Sequence, residues 1–136
     1  MKKLVHLLFL AYSFSTFAQS PTFNWVQQQG SSSQDQASNI TIDNNGNVFT
    51  AVSASNSNLM LITKYDANGV LLWTKTISAT PADITIDSLG NIFVIGTFKN
   101  LVDFDPSAAV SNLGYVNFQS LIFKFILKLN NNGNFL

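Results

Sequence analysis

Few side chains in this chain can do chemistry, and their spacing narrows the choice further. Asp103 and Asp105 flank Phe104 in Val102-Asp103-Phe104-Asp105-Pro106. On an extended backbone, residues two apart point to one side, so this pair offers two carboxylates to a calcium ion; the other reading is a turn stiffened by Pro106. Asp43-Asn44-Asn45-Gly46-Asn47 also puts oxygen-bearing side chains at alternate positions. Its glycine is misplaced for an EF-hand and no bidentate acid follows, so a turn in which Asp43 accepts backbone N–H groups is the better account. Aromatic rings supply a third kind of site. Trp25 and Trp73, or Tyr115 and Phe118, could present faces to a sugar, although a Trp recurring at one place in each repeat usually packs between repeats.

What is missing excludes more than what is present suggests. Lys2 and Lys3 precede an apolar stretch from Leu4 to Ala11 broken only by His6, and small residues follow at Thr16 and Ala18. That is the three-part layout of a secretory signal peptide over residues 1–18, with a mature chain starting at Gln19; the alternative is an N-terminal element that stays in the fold. No other stretch approaches the roughly 20 apolar residues of a membrane-spanning helix. From Gln19 onward the chain has five lysines against seven aspartates, a formal charge of −2, and no His, Cys, Arg or Glu. A Ser-His-Asp triad, a Cys-His dyad, a zinc site with nitrogen or sulfur ligands and a glutamate glycosidase pair are therefore absent from it. No catalytic residues and no cofactor are expected. Nucleic acid is an unsuitable partner, because phosphate neutralisation needs clustered Lys and Arg. Without cysteine no disulfide forms, and stability must come from packing and sheet hydrogen bonds.

The elements that position these residues are strands. The composition favours Phe, Val, Ile, Thr, Ser, Asn and Gly over the good helix formers Glu and Arg, so the expected fold class is all-β. Ile40-Thr41-Ile42-Asp43-Asn44-Asn45-Gly46-Asn47-Val48-Phe49 returns 44 positions later as Ile84-Thr85-Ile86-Asp87-Ser88-Leu89-Gly90-Asn91-Ile92-Phe93. In the first unit, strands are expected over 37–42, 47–53, 59–65 and 70–77, joined by Asp43–Gly46, a polar loop at 54–58, and Asp66–Gly69. Four antiparallel strands in a unit of about 45 residues describe one blade of a β-propeller. The second unit runs through 83–86, 91–98 and 121–129 to the turn Asn130–Gly133. Lys64-Tyr65-Asp66-Ala67-Asn68-Gly69 matches Lys128-Leu129-Asn130-Asn131-Asn132-Gly133 at a spacing of 64, so some 20 residues are inserted between the second and third strands of that unit. This places an inserted loop at 99–120. Phe23-Asn24-Trp25-Val26 matches Leu71-Leu72-Trp73-Thr74, which makes the leading segment, 19–36, an outer strand and linker without a blade of its own.

Asp-x-x-Gly-Asn-x-Phe after Ile-Thr-Ile, Lys-Tyr-Asp-x-x-Gly before Leu-Leu-Trp, and the Asp103–Pro106 loop together resemble the β-propeller-repeat proteins of the seven-bladed type exported by Bacteroidetes-like bacteria. The likeness covers nearly all of residues 22–136, and Phe17-Ala18-Gln19 is similar to the leader ends common in that group. It implies antiparallel four-stranded blades, about two of them here: a first blade at 37–78 and an incomplete second at 79–136. A propeller closes with about four to eight blades. The expectation is therefore a piece of a longer protein, and its rival is a short subunit whose copies assemble into a ring, as in some oligomeric lectins. The expected function is a secreted or envelope scaffold without catalysis that binds protein or cell-surface partners. The alternative is a carbohydrate-binding subunit using Tyr115 or Phe118.

Overall fold

The computed structural model describes residues 24–30, 34–54, 58–116 and 121–136, and among them there is no helix. β1 (Asp35–Ile42), β2 (Val48–Ala54), β3 (Leu59–Tyr65) and β4 (Leu71–Ile77) form one antiparallel sheet in chain order. β5 (Thr80–Ile86), β6 (Ile92–Phe98) and, after a ribbon of β7 (Val102–Asp103) and β8 (Asn112–Leu113), β9 (Phe123–Leu129) form a second antiparallel sheet in the order β5-β6-β9. Phe135 bridges Leu129, and the Leu136 N–H reaches the Lys128 carbonyl at 3.3 Å, so a fourth strand begins beside β9. All-β architecture with antiparallel sheets of three and four strands is thus what these residues build.

One face of each sheet is apolar at alternate positions, and the two faces meet. Phe49, Met60 and Ile62 of the first sheet and Ile84, Ile92, Val94, Leu127 and Leu129 of the second belong to one buried cluster. Burying each such side chain contributes about 1.5–3 kcal/mol, which is how a chain without disulfides holds two sheets together.

Beyond one-residue shifts at strand ends, three details differ from the reading of the sequence. β5 starts at Thr80 rather than Asp83, and β1 at Asp35 rather than Ala37. Both inner strands shift register at matching places, between Ala37 and Asn39 and between Pro81 and Asp83. A bulge breaks the period-two alternation, so the strand before it is hidden from pattern reading. Pro81 is tolerated because β5 pairs only with β6 and lies at a sheet edge. The bulge also joins the sheets: Ser38 Oγ donates to the Pro81 carbonyl at 2.9 Å. β9 starts at Phe123 rather than Leu121. The expected signal peptide at 1–18 lies outside the described residues.

The third difference concerns Trp25. Residues 24–29 carry no regular strand, yet Trp25 stands where an outer strand would put it. Its indole covers Gly69, where a Cβ would come within 2.6 Å of the ring, and its Nε1 donates to the Ala67 carbonyl at 3.1 Å. Trp73 of β4 approaches Gly133 by its ring edge, 3.3 Å from a Cβ built there, with the Lys75 side chain closer at 2.9 Å. Gly69 and Gly133 close equivalent turns with φ of +80° and +74°, which favours glycine at both, and at Gly69 the indole laid over it leaves no room for a Cβ. Trp25 and Trp73 thus each meet the last tight turn of a sheet, Trp25 through its ring face and indole N–H and Trp73 through its ring edge.

Candidate functional site

Up-and-down strands put the tight turns on one face of the sheet pair and the longer connections on the other. On the turn face, four copies of one device recur. Asp43 Oδ1 accepts the N–H groups of Asn45 and Asn47 at 2.9 Å each, and Asp43 Oδ2 accepts the Asn47 side-chain amide at 2.8 Å. Asp87 repeats all three bonds with Leu89 and Asn91. Asp66 Oδ1 takes the N–H groups of Asn68 and Val70, and Asn130 Oδ1 those of Asn132 and Asn134. The oxygens that spacing alone could assign to a cation hold the turns closed instead. A shallow cleft of about 370 Å³ separates Asp43-Asn44-Asn45 from Asp87-Ser88-Leu89.

These bonds have an electrostatic signature. Burial pushes the Asp43 carboxyl up, but hydrogen bonds from the Asn47 side chain, the Asn47 and Asn45 backbones and Asn131 outweigh it and leave it below the ordinary aspartate value of 3.8. The Asn91 amide does most to lower Asp87, with backbone donors and Lys128 adding to it against slight desolvation. A carboxylate lowered in the folded state stabilises fully above its unfolded value and loses that contribution as pH falls through the folded one. The expected result is a urea midpoint that drops on acidification below about pH 3.8. Asp43→Asn with Asp87→Asn keeps an acceptor at both turns while removing the titration, so its midpoint should fall less; equal slopes would overturn the assignment.

The other face carries the insertion. Phe104 is fully buried, its ring 5.1 Å from Phe98 and 4.8 Å from Phe125 between centroids, and Phe98 meets Phe123 at 5.4 Å. The insertion is therefore anchored in the second sheet's aromatic end. Asp103 Oδ1 accepts the N–H groups of Asp105 at 3.0 Å and Ser111 at 2.8 Å, the Phe104 N–H meets the Ser111 carbonyl at 2.9 Å, and Asp105 Oδ1 accepts Ser107 N–H at 2.8 Å. Asp103 and Asp105 thus close a loop, the turn reading of the pair. Among the described residues no three His, Cys, Asp or Glu side chains cluster as a metal site.

Where the insertion leaves β6, a cleft of about 460 Å³ opens between the sheets. Its polar wall is Asn58, Ser78, Thr80, Thr97, Lys99 and Asn100, and its apolar wall includes Leu101 and Ile122. Asn100 takes a left-handed φ of +62°, and its buried Oδ1 has no hydrogen-bond partner among the described residues. Tyr115 is 64% exposed with its ring 6.0 Å from Phe123, outside the cleft wall. Phe118 lies outside the described residues. Sequence reasoning missed Lys99, Asn100 and Thr97, because isolated polar residues at a strand end carry no pattern. The jump in spacing from 44 to 64 was the one signal, and it points to the segment without naming residues.

Residues 24–59 match the family model of the beta-propeller repeat. The match covers the leading segment, β1, β2 and the first residue of β3, and it supports a β-propeller-repeat protein. No curated protein and no solved structure matches the chain.

Proposed function

We propose that this chain serves as an exported scaffold of β-propeller repeats, without catalysis, that binds a protein or surface partner through the face bearing the insertion. The observation that carries the reading is the described part of the insertion, residues 99–116. It is the one departure from the repeat spacing, it is pinned by Phe104, and it builds a cleft with a polar mouth beside exposed Leu101 and Ile122. Loops on a rigid scaffold are where binding residues concentrate. The lack of His, Cys, Arg and Glu beyond residue 18 supports a binding role over an enzymatic one. The start at Lys2 and Lys3, the apolar run and Ala18 support export, and N-terminal sequencing of the exported protein is expected to begin at Gln19.

A photo-crosslinking residue at Ile122, compared with one at Leu89 on the turn face, tests the binding face; both positions are exposed. Adducts in living cells are expected at Ile122 and not at Leu89. Equal labelling at the two, or none at either, would sink the proposal. A sugar ligand is the second reading, favoured by the exposed Tyr115 ring supported on Phe123. Glycan-array binding abolished by Tyr115→Ala at an unchanged melting temperature would establish it.

A further inference from the structure

Of the five lysines beyond residue 18, Lys64 alone is buried, at 7% exposure. Lysine is almost never buried without a partner, so the group it meets calls for an account. Lys64 lies on β3, opposite Phe49 of β2 and Trp73 of β4. Its Nζ stands 5.1 Å from the centre of the Phe49 ring. From there it crosses the sheet boundary to the turn after β9, where it donates to the side-chain Oδ1 of Asn131 and reaches the Asn131 carbonyl at 3.4 Å.

The amide that Lys64 meets is held on its other sides. Its turn is fixed, because the Gly133 N–H donates to the Asn130 carbonyl and the Asn132 N–H to Asn130 Oδ1, each at 2.9 Å. Asn131 Nδ2 faces the Gly90 carbonyl at 3.4 Å, and a Cβ on Gly90 would come within 2.9 Å of that nitrogen. The same side chain donates to the Asp43 carboxylate from the first sheet, and Asp43, Gly90 and Asn131 all line the cleft of the turn face. An amine, a carboxamide and a carboxylate from three separate segments thus meet at one point. The repeat does not impose this meeting: the counterpart of Asn131 in the first unit is Ala67, which has no amide to offer.

We propose that Lys64 and Asn131 join covalently, through an amide bond between Nζ and the side-chain Cγ of Asn131 that ties the two sheets together. Nζ attacks Cγ, the bond from Cγ to Nδ2 breaks, and Nδ2 leaves with a proton surrendered by Lys64. An ammonium group and a carboxamide give a secondary amide and an ammonium ion, so atoms and charge balance with no other reagent. Asp43 accepts from Nδ2 and steadies the positive charge as that nitrogen takes its proton and departs through the open cleft. Amine and amide do not react at a useful rate in dilute solution. Holding them in contact supplies an effective concentration of about 10⁵–10⁸ M when they are well aligned. The bond closes a loop between residues 67 apart, and a crosslink over a long loop stabilises by restraining the unfolded chain. It gives a chain without cysteine the kind of tie a disulfide would supply. The inference is independent of the binding face.

Intact-mass spectrometry of the full chain, purified folded and then denatured, reads the bond directly. The expected mass is that of the chain less one ammonia, and proteolysis is expected to yield a fragment in which the Lys64 and Asn131 peptides are joined. The Asn-Gly pairs of the turns can also lose ammonia, as succinimides, so Lys64→Arg decides between the two: it keeps a cation over Phe49 and is expected to show the full mass. Lys128→Arg is expected to keep the loss. Asp43→Asn, which retains an acceptor in its turn, is expected to slow the linking by about 10²-fold. An unmodified folded chain at full mass, a loss that persists in Lys64→Arg, or the absence of the joined fragment would overturn the proposal. An Asp43→Asn chain that links as fast as the unmodified one would overturn the part given to the carboxylate.

Discussion

Phe104→Ala is expected to destabilise the protein by about 3–5 kcal/mol, as large a loss as a single buried aromatic gives. Phe104 sits in a segment whose spacing marks it as an insertion, where a surface substitution would ordinarily change stability by less than about 0.5 kcal/mol. The structure puts it elsewhere: fully buried, with Phe98 and Phe125 against its ring. Removing the ring deletes dispersion contacts and leaves a cavity flanked by two aromatics that β6 and β9 hold in place, so the site cannot collapse around the gap. Urea denaturation measures the loss. Hydrogen exchange adds a local readout, since the Phe104 N–H bonded to Ser111 and the Ser111 N–H bonded to Asp103 should lose protection first. A change below 0.5 kcal/mol would show that the insertion is a surface loop after all.

Trp73→Ala is expected to cost somewhat less, about 2–3 kcal/mol, because the indole is half-buried where it ties the two sheets together. Its ring stands edge-on to Phe49 at 6.1 Å, and its outer edge reaches Gly133 of the second sheet's last turn. A sugar platform would behave differently, losing ligand with little loss of stability. Trp73→Phe sharpens the test. The Trp73 Nε1 is buried without a partner among the described residues, whereas the Trp25 Nε1 bonds the Ala67 carbonyl. At the equivalent carbonyl, Asn131, the donor within reach is Lys64 Nζ at 3.4 Å. An unpaired buried donor costs about 1–3 kcal/mol, so Phe should recover much of what Ala loses by removing it. A Phe variant as unstable as the Ala variant would show that the indole N–H matters and that it has a partner.

Much of this arrangement was legible because it is local. Asp43 and Asp87 each bond groups within four residues, and glycines at fixed offsets close the same turns, so spacing alone located both hairpins and favoured a turn over a cation loop. The 44-residue echo assigned strands to equivalent places in the two sheets, and the later spacing of 64 located the insertion. The bulges at Ser38 and Ala82 were not legible, since a bulge is defined by the strand opposite. Nor were the partners of Asp103 and Asp105: two acids before a Pro favour a turn over a calcium contact, but the N–H that Asp103 holds comes from Ser111, eight residues beyond it, and spacing does not name it.

The sequence by itself determined the strands, the tight turns, the repeat and the chemistry the chain lacks, because those follow from backbone preferences and from contacts a few residues apart. Only the tertiary structure decided that Phe104 is core rather than loop and that Trp25 caps the first sheet without forming a strand. It alone also decided that Ile95 and Ile126 lie open where Ala51 and Ile62 are closed. Each of these depends on which surface a side chain meets across tens of residues of chain. Identical local patterns, such as Ile-Thr-Ile at the ends of β1 and β5, leave that choice unmade until the sheets pack.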